Sequence, residues 1–334
     1  MKQRDVVIVG AGPAGLAAAM YTQPDGWNTL VFESRWVGGQ GAIAYTVRNY
    51  PGFLAGDGAV LMDNMEKQVT ASSPASFGVE LRRERVSSIN GDKMTVKTEV
   101  DEYQAKAIIL ATGSKMQRLG VPGEDRLFGK GVSYYAKLDV KRFAGKKVMV
   151  VGGGNTTAKS ALLAKSEGQA GEVTLVHRRE SLRTYASMLK LLQNQGVNIS
   201  FNTEVKEIKG GDTVNSVITL NNKANTQAEV DVDWIVVCVG TEPDVDLAKK
   251  AGITVVGHFI KVDARMMTNR TGIFACGEIV GSHCHLVNAA ADGASAGMAA
   301  SEYLAMDLVR NGRMFEGAKN GKYADEYLQM IKQG

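Results

Sequence analysis

The chain has 334 residues, a length that predicts two domains rather than one. Its hydrophobic fraction of 44% and charged fraction of 22% are typical of a soluble globular protein. A net charge of +4, spread along the chain, is too small to indicate nucleic-acid or membrane binding. The three cysteines have no paired spacing, which argues against a disulfide framework and favours a reducing, cytoplasmic compartment.

The N-terminal segment has the pattern of a βαβ dinucleotide site. An apolar run at residues 6–9 predicts a strand, and residues 16–21 predict a helix. Between them stands a Gly-x-Gly-x-x-Gly pattern, formed by Gly10, Gly12 and Gly15. These glycines permit a tight turn, close approach of a pyrophosphate, and close packing of helix on strand. A second strand at residues 29–32 ends in Glu33, which is placed to accept hydrogen bonds from an unphosphorylated ribose.

The segment that follows mixes loops with short elements. Glycine and proline predict loops at 38–40 and 49–53, and a polar stretch at 70–77 predicts another. The remaining predictions are a helix at 57–70, a β-ribbon at 79–100 with its turn at Asn90-Gly91, and a buried strand at 107–110.

A second nucleotide site is predicted in the middle of the chain. A strand at 146–151 leads into Gly152-Gly153-Gly154-Asn155-Thr156, and a helix runs from Ala158. The next strand, at 172–176, is followed by His177, Arg178, Arg179 and Arg183. Arginines there can hold a 2′-phosphate through charge-assisted bonds, so this site favours NADP. A solvated basic loop is the alternative interpretation.

The C-terminal third returns to short strands and one helix. Residues 227–239 are rich in strand formers, 273–275 predict a strand, and 289–304 predict a helix of small residues. The tail at 306–334 has mixed charge and a helical pattern.

From residue 5 to about 305 these motifs, in unbroken order, resemble the low-molecular-weight thioredoxin reductases and the thioredoxin-reductase-like ferredoxin/flavodoxin–NADP reductases. The resemblance implies an α/β fold of two doubly wound Rossmann-like domains, with the NADP domain inserted into the FAD domain. The expected boundaries are 1–115 for the first part of the FAD domain, 116–244 for the NAD(P)H domain, and 245–334 for the second part with the tail. The resemblance also implies a homodimer.

Carried over position by position, the resemblance implies two sets of cofactor residues. Those implied for FAD are Gly10, Gly12, Pro13, Ala14, Gly15, Glu33, Gly39, Gln40, Asn49, Val86, Ala111, Thr112, Gly113, Gly277, Glu278 and Ala289. Those implied for NADPH are Gly152, Gly154, Asn155, Thr156, His177, Arg178, Arg179 and Arg183.

One departure from the family decides the expected function. Thioredoxin reductases carry Cys-x-x-Cys where this chain has Tyr135-Ala136-Lys137-Leu138. Thiol–disulfide exchange needs an attacking thiolate and a second sulfur, and neither Tyr135 nor Leu138 supplies one. The ferredoxin–NADP reductase branch also lacks these cysteines. Tyr135 either stacks near the flavin ring or fills the volume that the cysteines would occupy.

Smaller departures concern the cofactor contacts. Glu278 stands where the family has an aspartate that binds the flavin ribityl chain, and Val287-Asn288-Ala289 replaces Arg-Gln-Ala. In the NADPH helix, Thr157 replaces a small residue and Lys159 replaces an acid.

Several further residues have a plain and a functional interpretation. His283-Cys284-His285 suggests a metal, but neighbouring side chains on one segment cannot all face one ion, so no metal is expected. Cys276 and Cys284 are either a replacement redox pair or ordinary packed thiols. Tyr323 and Tyr327 either cover the flavin or belong to a helix packed on its own domain.

We expect NADPH to reduce the flavin, which then passes electrons to an external acceptor, a small electron-carrier protein or a small molecule. Ferredoxin or flavodoxin is the favoured partner class, and no side chain is assigned as acid or base. The alternatives are a disulfide reductase that uses Cys276, Cys284 or a partner's thiols, and a non-catalytic nucleotide sensor that keeps FAD.

Overall fold

The computed structural model describes residues 1–71 and 79–310. Its strands are β1 (Lys2–Val9), β2 (Thr29–Phe32), β3 (Thr46–Val47), β4 (Gly56–Asp57), β5 (Glu80–Arg82), β6 (Val86–Asn90), β7 (Thr95–Thr98), β8 (Glu102–Leu110), β9 (Ser114–Met116), β10 (Val132–Ser133), β11 (Lys147–Gly152), β12 (Glu172–Val176), β13 (Asn198–Ser200), β14 (Thr203–Gly210), β15 (Val214–Asn221), β16 (Thr226–Asp231), β17 (Trp234–Cys238), β18 (Thr241–Pro243), β19 (Val255–Val256), β20 (Phe259–Ile260) and β21 (Ile273–Ala275). Its helices are α1 (Pro13–Thr22), α2 (Gly39–Ala42), α3 (Gly58–Thr70), α4 (Ala136–Asp139), α5 (Asn155–Ser166), α6 (Ala186–Asn194), α7 (Asp246–Lys250) and α8 (Leu286–Arg310), with 3₁₀ turns at Val140–Arg142 and Gly277–Val280.

The chain forms two compact units. The first contains the described residues of the ranges Met1–Ser114 and Pro243–Gly334, and the second is Lys115–Glu242. No helix within the described ranges is long and apolar enough to cross a membrane.

A mainly parallel sheet organises the first unit. Its order is β5-β2-β1-β8-β7-β6, and β21 also pairs with β8. β1 lies between β2 and β8, with Val6 opposite Thr29 on one side and Ala107 on the other. Because both faces of a parallel strand are covered, residues 6–9 can all be apolar, and each of them is at most 5% exposed.

Helices α1 and α8 pack against each other at very short range. A β-carbon on Gly293 would lie 2.0 Å from the Ala14 carbonyl oxygen, and one on Gly297 would lie 2.5 Å from that of Ala18. The small residues predicted for this helix therefore let two backbones touch. α8 begins at Leu286 and ends at Arg310, so it is longer at both ends than the predicted 289–304.

The β6–β7 hairpin confirms a predicted β-ribbon but has a longer turn than expected. Asn90 pairs with Thr95, so four residues connect the strands rather than the two of an Asn-Gly turn. The Asn90 side chain accepts hydrogen bonds from the Asp92 and Lys93 amides, and Met94 takes the left-handed conformation. The side chain of Asn90, more than the freedom of Gly91, shapes this turn.

The second unit contains a parallel sheet of order β10-β17-β11-β12-β13. The antiparallel strands β14, β15 and β16 form a separate sheet; of these, the sequence indicated only the last. Two parallel sheets flanked by helices confirm the predicted doubly wound α/β class.

The nucleotide-site helices begin earlier than predicted. α1 starts at Pro13, because proline suits the first position of a helix and its missing N–H costs nothing there. α5 starts at Asn155, directly after Gly154, rather than at Ala158. In both units the glycine turn therefore leads straight into the first helical turn.

Candidate functional site

The first glycine turn is closely packed at two positions and open at one. A β-carbon on Gly10 would lie 2.2 Å from the Ala111 carbonyl oxygen, and one on Gly15 would lie 1.8 Å from that of Gly10. Around Gly12, by contrast, no described atom comes within 4 Å of such a β-carbon. Gly12 caps α1 without a side chain, so the first-turn amides of the helix face open space.

Glu33 is buried beside this turn at 9% exposure. One carboxylate oxygen accepts the Ala11 amide at 2.9 Å, and the other accepts the Arg35 amide at 2.8 Å. Each carboxylate oxygen has about two lone pairs, so capacity remains to accept ribose hydroxyls. The backbone therefore holds Glu33 in one orientation at the end of β2.

A cavity of about 310 Å³ lies next to Glu33. Four predicted residues line it: Gly10, Glu33, Val86 and Thr112. It is also lined by residues that the motif search missed: Arg85, Asp246 and Lys250. Arg85 is the neighbour of the predicted Val86. Asp246 and Lys250 belong to α7, and no nucleotide-binding motif in the sequence includes that helix.

Four further predicted residues of this unit lie outside the helices, after β3 and after β8. Ala111 donates its amide to the Val9 carbonyl, and the Thr112 hydroxyl donates to the Asp244 carbonyl at 2.6 Å. Gly113, with φ +65°, accepts the Asp244 amide. Asn49 is exposed after β3.

Gly277, which follows β21, lies close to the first glycine turn. A β-carbon on Gly277 would lie 2.9 Å from Cβ of Ala14 and 3.9 Å from Cβ of Ala289. The start of α2 also approaches this turn, because a β-carbon on Gly39 would lie 3.3 Å from Cα of Gly12. Sequence-distant predicted residues thus converge on the start of α1.

A hydrogen-bond chain joins these two loops. The Gln40 amide nitrogen donates to Ser114 Oγ at 2.6 Å, and that hydroxyl donates to Glu278 Oε2 at 2.7 Å. The Cys284 thiol donates to Glu278 Oε1 at 3.4 Å. Ser114 was not among the predicted site residues.

FAD fits this arrangement on two observations. The space beside Gly12 admits a pyrophosphate at the N-terminus of α1, where unpaired amides and the helix dipole favour anions. The cavity beside Glu33 supplies a carboxylate for a ribose at the end of the neighbouring strand.

In the second unit, Gly152 and Gly153 are enclosed and Gly154 is open. A β-carbon on Gly152 would lie 2.2 Å from the Cys238 carbonyl oxygen, and one on Gly153 would lie 2.1 Å from the His177 ring. Around Gly154 no described atom comes within 4 Å. Asn155 and Thr156 follow on the exposed first turn of α5, and Asn155 Oδ1 accepts the Thr184 hydroxyl.

The arginine segment is tied to this glycine loop through its backbone. The Arg183 amide donates to the Gly153 carbonyl at 2.7 Å. The side chains of Arg178, Arg179 and Arg183 are exposed, and no salt bridge between described residues includes them. Exposed guanidinium groups that follow β12 next to a glycine loop fit the 2′-phosphate of NADPH.

His177 is buried beneath the same loop at 6% exposure. Burial, together with the guanidinium groups of Arg179, Arg183 and Arg178, lowers the pKa of His177. Its Nε2 finds no hydrogen-bond partner within the described residues. The imidazole therefore lies against Gly153 in surroundings that disfavour its charged form.

Thr157 and Lys159, the departures in α5, have different positions. Thr157 is buried, donates to the Cys238 carbonyl at 3.3 Å and accepts the Gly154 amide at 3.4 Å. The Thr157 hydroxyl therefore links the glycine loop to the end of β17 through hydrogen bonds. Lys159 is exposed.

Positions 135 and 138 lie at the short helix α4. Tyr135 precedes its first residue, and its amide donates to Ser133 Oγ at 3.1 Å. Leu138 is 55% exposed. Neither side chain carries sulfur.

The three thiols have very different surroundings. Cys276 is fully buried, and burial raises its pKa far above the ordinary value. Burial also raises the pKa of Cys238 to about 11, although a hydrogen bond to Ser160 opposes the shift. Cys284 is exposed, and partial burial and the Glu278 carboxylate raise its pKa.

The metal site and the tail tyrosines are the remaining two features considered in the sequence. Within the described ranges, no group of three or more His, Cys, Asp or Glu side chains could hold a metal ion. Tyr323 and Tyr327 lie outside the described residues, so their suggested position over the flavin stays a prediction.

Comparison with known proteins agrees with this geometry. The family model described as pyridine nucleotide-disulphide oxidoreductase matches residues 4–294. The "34.2 kDa protein in rubredoxin operon" of Clostridium pasteurianum is 35% identical over 309 residues, covering 91% of this chain and 98% of its own.

Two solved structures cover almost the whole chain. Thioredoxin reductase of Lactococcus lactis has a TM-score of 0.80 at 32% identity, covering 91% of this chain and 99% of its own. A ferredoxin-flavin thioredoxin reductase of Clostridium acetobutylicum has a TM-score of 0.50 at 27% identity, covering 92% and 99%. The chain therefore belongs to the pyridine nucleotide-disulphide oxidoreductase family, as a thioredoxin-reductase-like enzyme that depends on FAD and NADPH.

Proposed function

We propose that this enzyme passes electrons from NADPH through FAD to an external acceptor, with a ferredoxin- or flavodoxin-type carrier as the favoured partner. The observation that carries the proposal is the pair Tyr135 and Leu138 at α4, where thioredoxin reductases have two cysteines. A phenol and an isobutyl group can neither form nor open a disulfide. Electrons that reach the flavin therefore need an acceptor from outside the chain.

The remaining thiols support this proposal by their chemistry. The thiolate is the nucleophile in disulfide exchange, and raised pKa values keep Cys238, Cys276 and Cys284 protonated near neutral pH. Cys276 also has no exposed surface through which a partner could reach it. An internal redox pair made from these cysteines would be slow.

Two similar proteins support the partner class. One is the 34.2 kDa protein in a rubredoxin operon, and the other is a ferredoxin-flavin thioredoxin reductase. Rubredoxin and ferredoxin are small electron carriers. We propose a carrier of this class, or a small-molecule acceptor, for this chain.

The cofactor residues are assigned as follows in this proposal. FAD is held by the first glycine turn, by Glu33 and the other cavity residues, and by the two segments that contain Gly39 and Gly277. NADPH is held by the second glycine turn and the arginines that follow β12. Bound FAD would accept a hydride from NADPH and release the electrons to the carrier. The chain itself binds and orients both cofactors, with no side chain assigned as acid or base.

A disulfide reductase is the second candidate. The similarity to a thioredoxin reductase and the exposure of Cys284 favour it. In this candidate Cys284 or a partner's own thiols would complete the exchange. We also propose a homodimer in the cytoplasm, on the family resemblance and on the small number of cysteines.

The proposal is tested by anaerobic stopped-flow titration of the FAD-loaded enzyme with NADPH, NADH and reduced ferredoxin, following flavin absorbance. We expect bleaching by NADPH, and reoxidation on mixing with oxidised ferredoxin or flavodoxin. If neither carrier exchanges electrons with the flavin while oxidised thioredoxin reoxidises it rapidly, the disulfide-reductase candidate replaces the proposal.

A further inference from the structure

Ser114 is the middle member of the hydrogen-bond chain that joins Gln40 to Glu278. We propose that Ser114 is a positioning residue for FAD, which it serves by orienting the Glu278 carboxylate. The proposal rests on the assignment of Glu278 to the FAD site made above.

The direction of the chain follows from its donors and acceptors. The Gln40 side-chain nitrogen donates to the Ser114 carbonyl at 3.1 Å as well as to its hydroxyl. A carbonyl can only accept, so the NH₂ end of Gln40 must face Ser114. The Ser114 hydroxyl therefore accepts from Gln40, and its single proton is given to Glu278.

The ends of the chain lie beside the start of α1. Gln40 follows Gly39, whose β-carbon would come within 3.3 Å of Gly12, and Glu278 follows Gly277, whose β-carbon would come within 2.9 Å of Ala14. Ser114 thus ties together two loops that approach the same helical turn from different sides. Ser114 is itself the first residue of β9.

The length of Glu278 explains why such a tie is useful. A glutamate has one more rotatable bond than the aspartate at this position in the family, so it loses more conformational freedom when it is held. Ser114 holds one carboxylate oxygen and Cys284 contacts the other. With both oxygens engaged, the carboxylate has one preferred orientation before a ligand arrives, which lowers the cost of binding.

The first experiment measures the FAD dissociation constant of apoprotein variants by flavin fluorescence quenching, together with the absorption spectrum of the bound flavin. Ser114→Ala should weaken FAD by up to roughly tenfold, because the Glu278 side chain must then be ordered when FAD binds. Ser114→Thr keeps the hydroxyl and should bind FAD nearly as the native chain does. Ser295→Ala is the matched control, because Ser295 is a half-buried serine of the same unit whose hydroxyl donates to the Ala291 carbonyl of its own helix.

A double-mutant cycle separates this proposal from the site assignment. If Ser114 acts through Glu278, the loss caused by Ser114→Ala should largely vanish when Glu278→Gln is already present. An unchanged dissociation constant in Ser114→Ala, or additive losses in the double variant, would overturn the role of Ser114 and leave the assignment of Glu278 intact. If Glu278→Gln alone binds FAD like the native chain, both the assignment and this proposal are wrong.

Discussion

The three arginines after β12 concern the choice of coenzyme. Their side chains are exposed, and their segment is fixed to the glycine loop by the Arg183–Gly153 backbone bond. This backbone bond fixes the position of the segment beside the glycine loop, as folded backbone groups pair with or without a ligand. The 2′-phosphate role of the arginines is the proposal made above, and coenzyme binding separates it from the solvated-loop alternative.

We predict that Arg179→Ala and Arg183→Ala each weaken NADPH binding by about tenfold to a hundredfold, because each removes a charge-assisted contact to the 2′-phosphate. Binding of NADH, which lacks this phosphate, should hardly change. Lys223→Ala, an exposed cation of the same unit, is the control. Dissociation constants for both coenzymes check the prediction, and equal losses for NADPH and NADH would contradict it.

His177 is unusual as a buried imidazole with an unpartnered nitrogen. Its folded pKa is lowered, so the unfolded chain, with an ordinary histidine pKa of about 6.5, binds the proton more readily. Stability from the neutral ring is therefore fully present above the unfolded pKa. It is lost as the pH falls below that value.

We predict that unfolding stability of the native chain falls between pH 7.5 and pH 5.5 more steeply than that of His177→Gln. The extra slope can reach about 1.4 kcal/mol per pH unit, the value for one proton. His258→Gln, in the exposed turn between β19 and β20, should keep the native pH dependence. Urea unfolding at several pH values measures this, and parallel curves for the native chain and His177→Gln would refute it.

At the scale of elements, two glycines of the first unit look alike in sequence and differ in structure. Gly12 caps α1 and has open space beside it, whereas Gly293 lies in α8 against the Ala14 carbonyl. We attribute the first glycine to cofactor approach, as proposed above, whereas helix packing explains the second.

We predict opposite effects for alanine at these two positions. Gly12→Ala should leave apoprotein stability within about 1 kcal/mol, yet weaken FAD at least tenfold, because its methyl group occupies the pyrophosphate space. Gly293→Ala should destabilise the apoprotein by about 1–3 kcal/mol or more through overpacking.

Urea unfolding and FAD titration of the same preparations separate the two effects. Gly211→Ala is the control, since no described atom within 4 Å would meet its β-carbon and its φ is not positive. Native FAD affinity in Gly12→Ala would exclude close approach of the pyrophosphate there.

For the whole molecule, the decisive question is how electrons leave the flavin. Tyr135 and Leu138 offer no disulfide, and the buried Cys276 cannot meet a partner. A small carrier that contacts the flavin directly requires none of these groups.

We predict that the enzyme with NADPH fails to reduce thioredoxin but reduces ferricyanide, two per NADPH, because a hydride carries two electrons. Replacing Cys276 and Cys284 together with serine should retain ferricyanide reduction, because neither thiol carries electrons in this proposal and a serine hydroxyl at position 284 can still donate to Glu278. Steady-state rates with both acceptors check this. Thioredoxin turnover by the native chain that disappears in the double variant would make the disulfide-reductase candidate correct.

Local sequence patterns were sufficient to predict many of the strands and turns of this protein. Strand periodicity and turn chemistry act over a few residues, so they can be recognised in a short stretch of sequence. This was enough to predict buried strands such as residues 29–32, the two glycine turns, and the acid or arginines that follow the second strand of each site. The doubly wound α/β class followed from these patterns together with the family resemblance. The loss of sulfur at positions 135 and 138 could be seen in the sequence alone.

Tertiary structure decided what sequence-distant residues do together. Lys250 of α7 lines the cavity near Glu33, and Ser114 joins Gln40 to Glu278, because the fold brings together segments that are far apart in the chain. No local pattern encodes that meeting, since it depends on the order β5-β2-β1-β8 and on the pairing of β21. The sequence shows where the glycines are. Whether a given glycine faces open space or another backbone segment depends on tertiary packing.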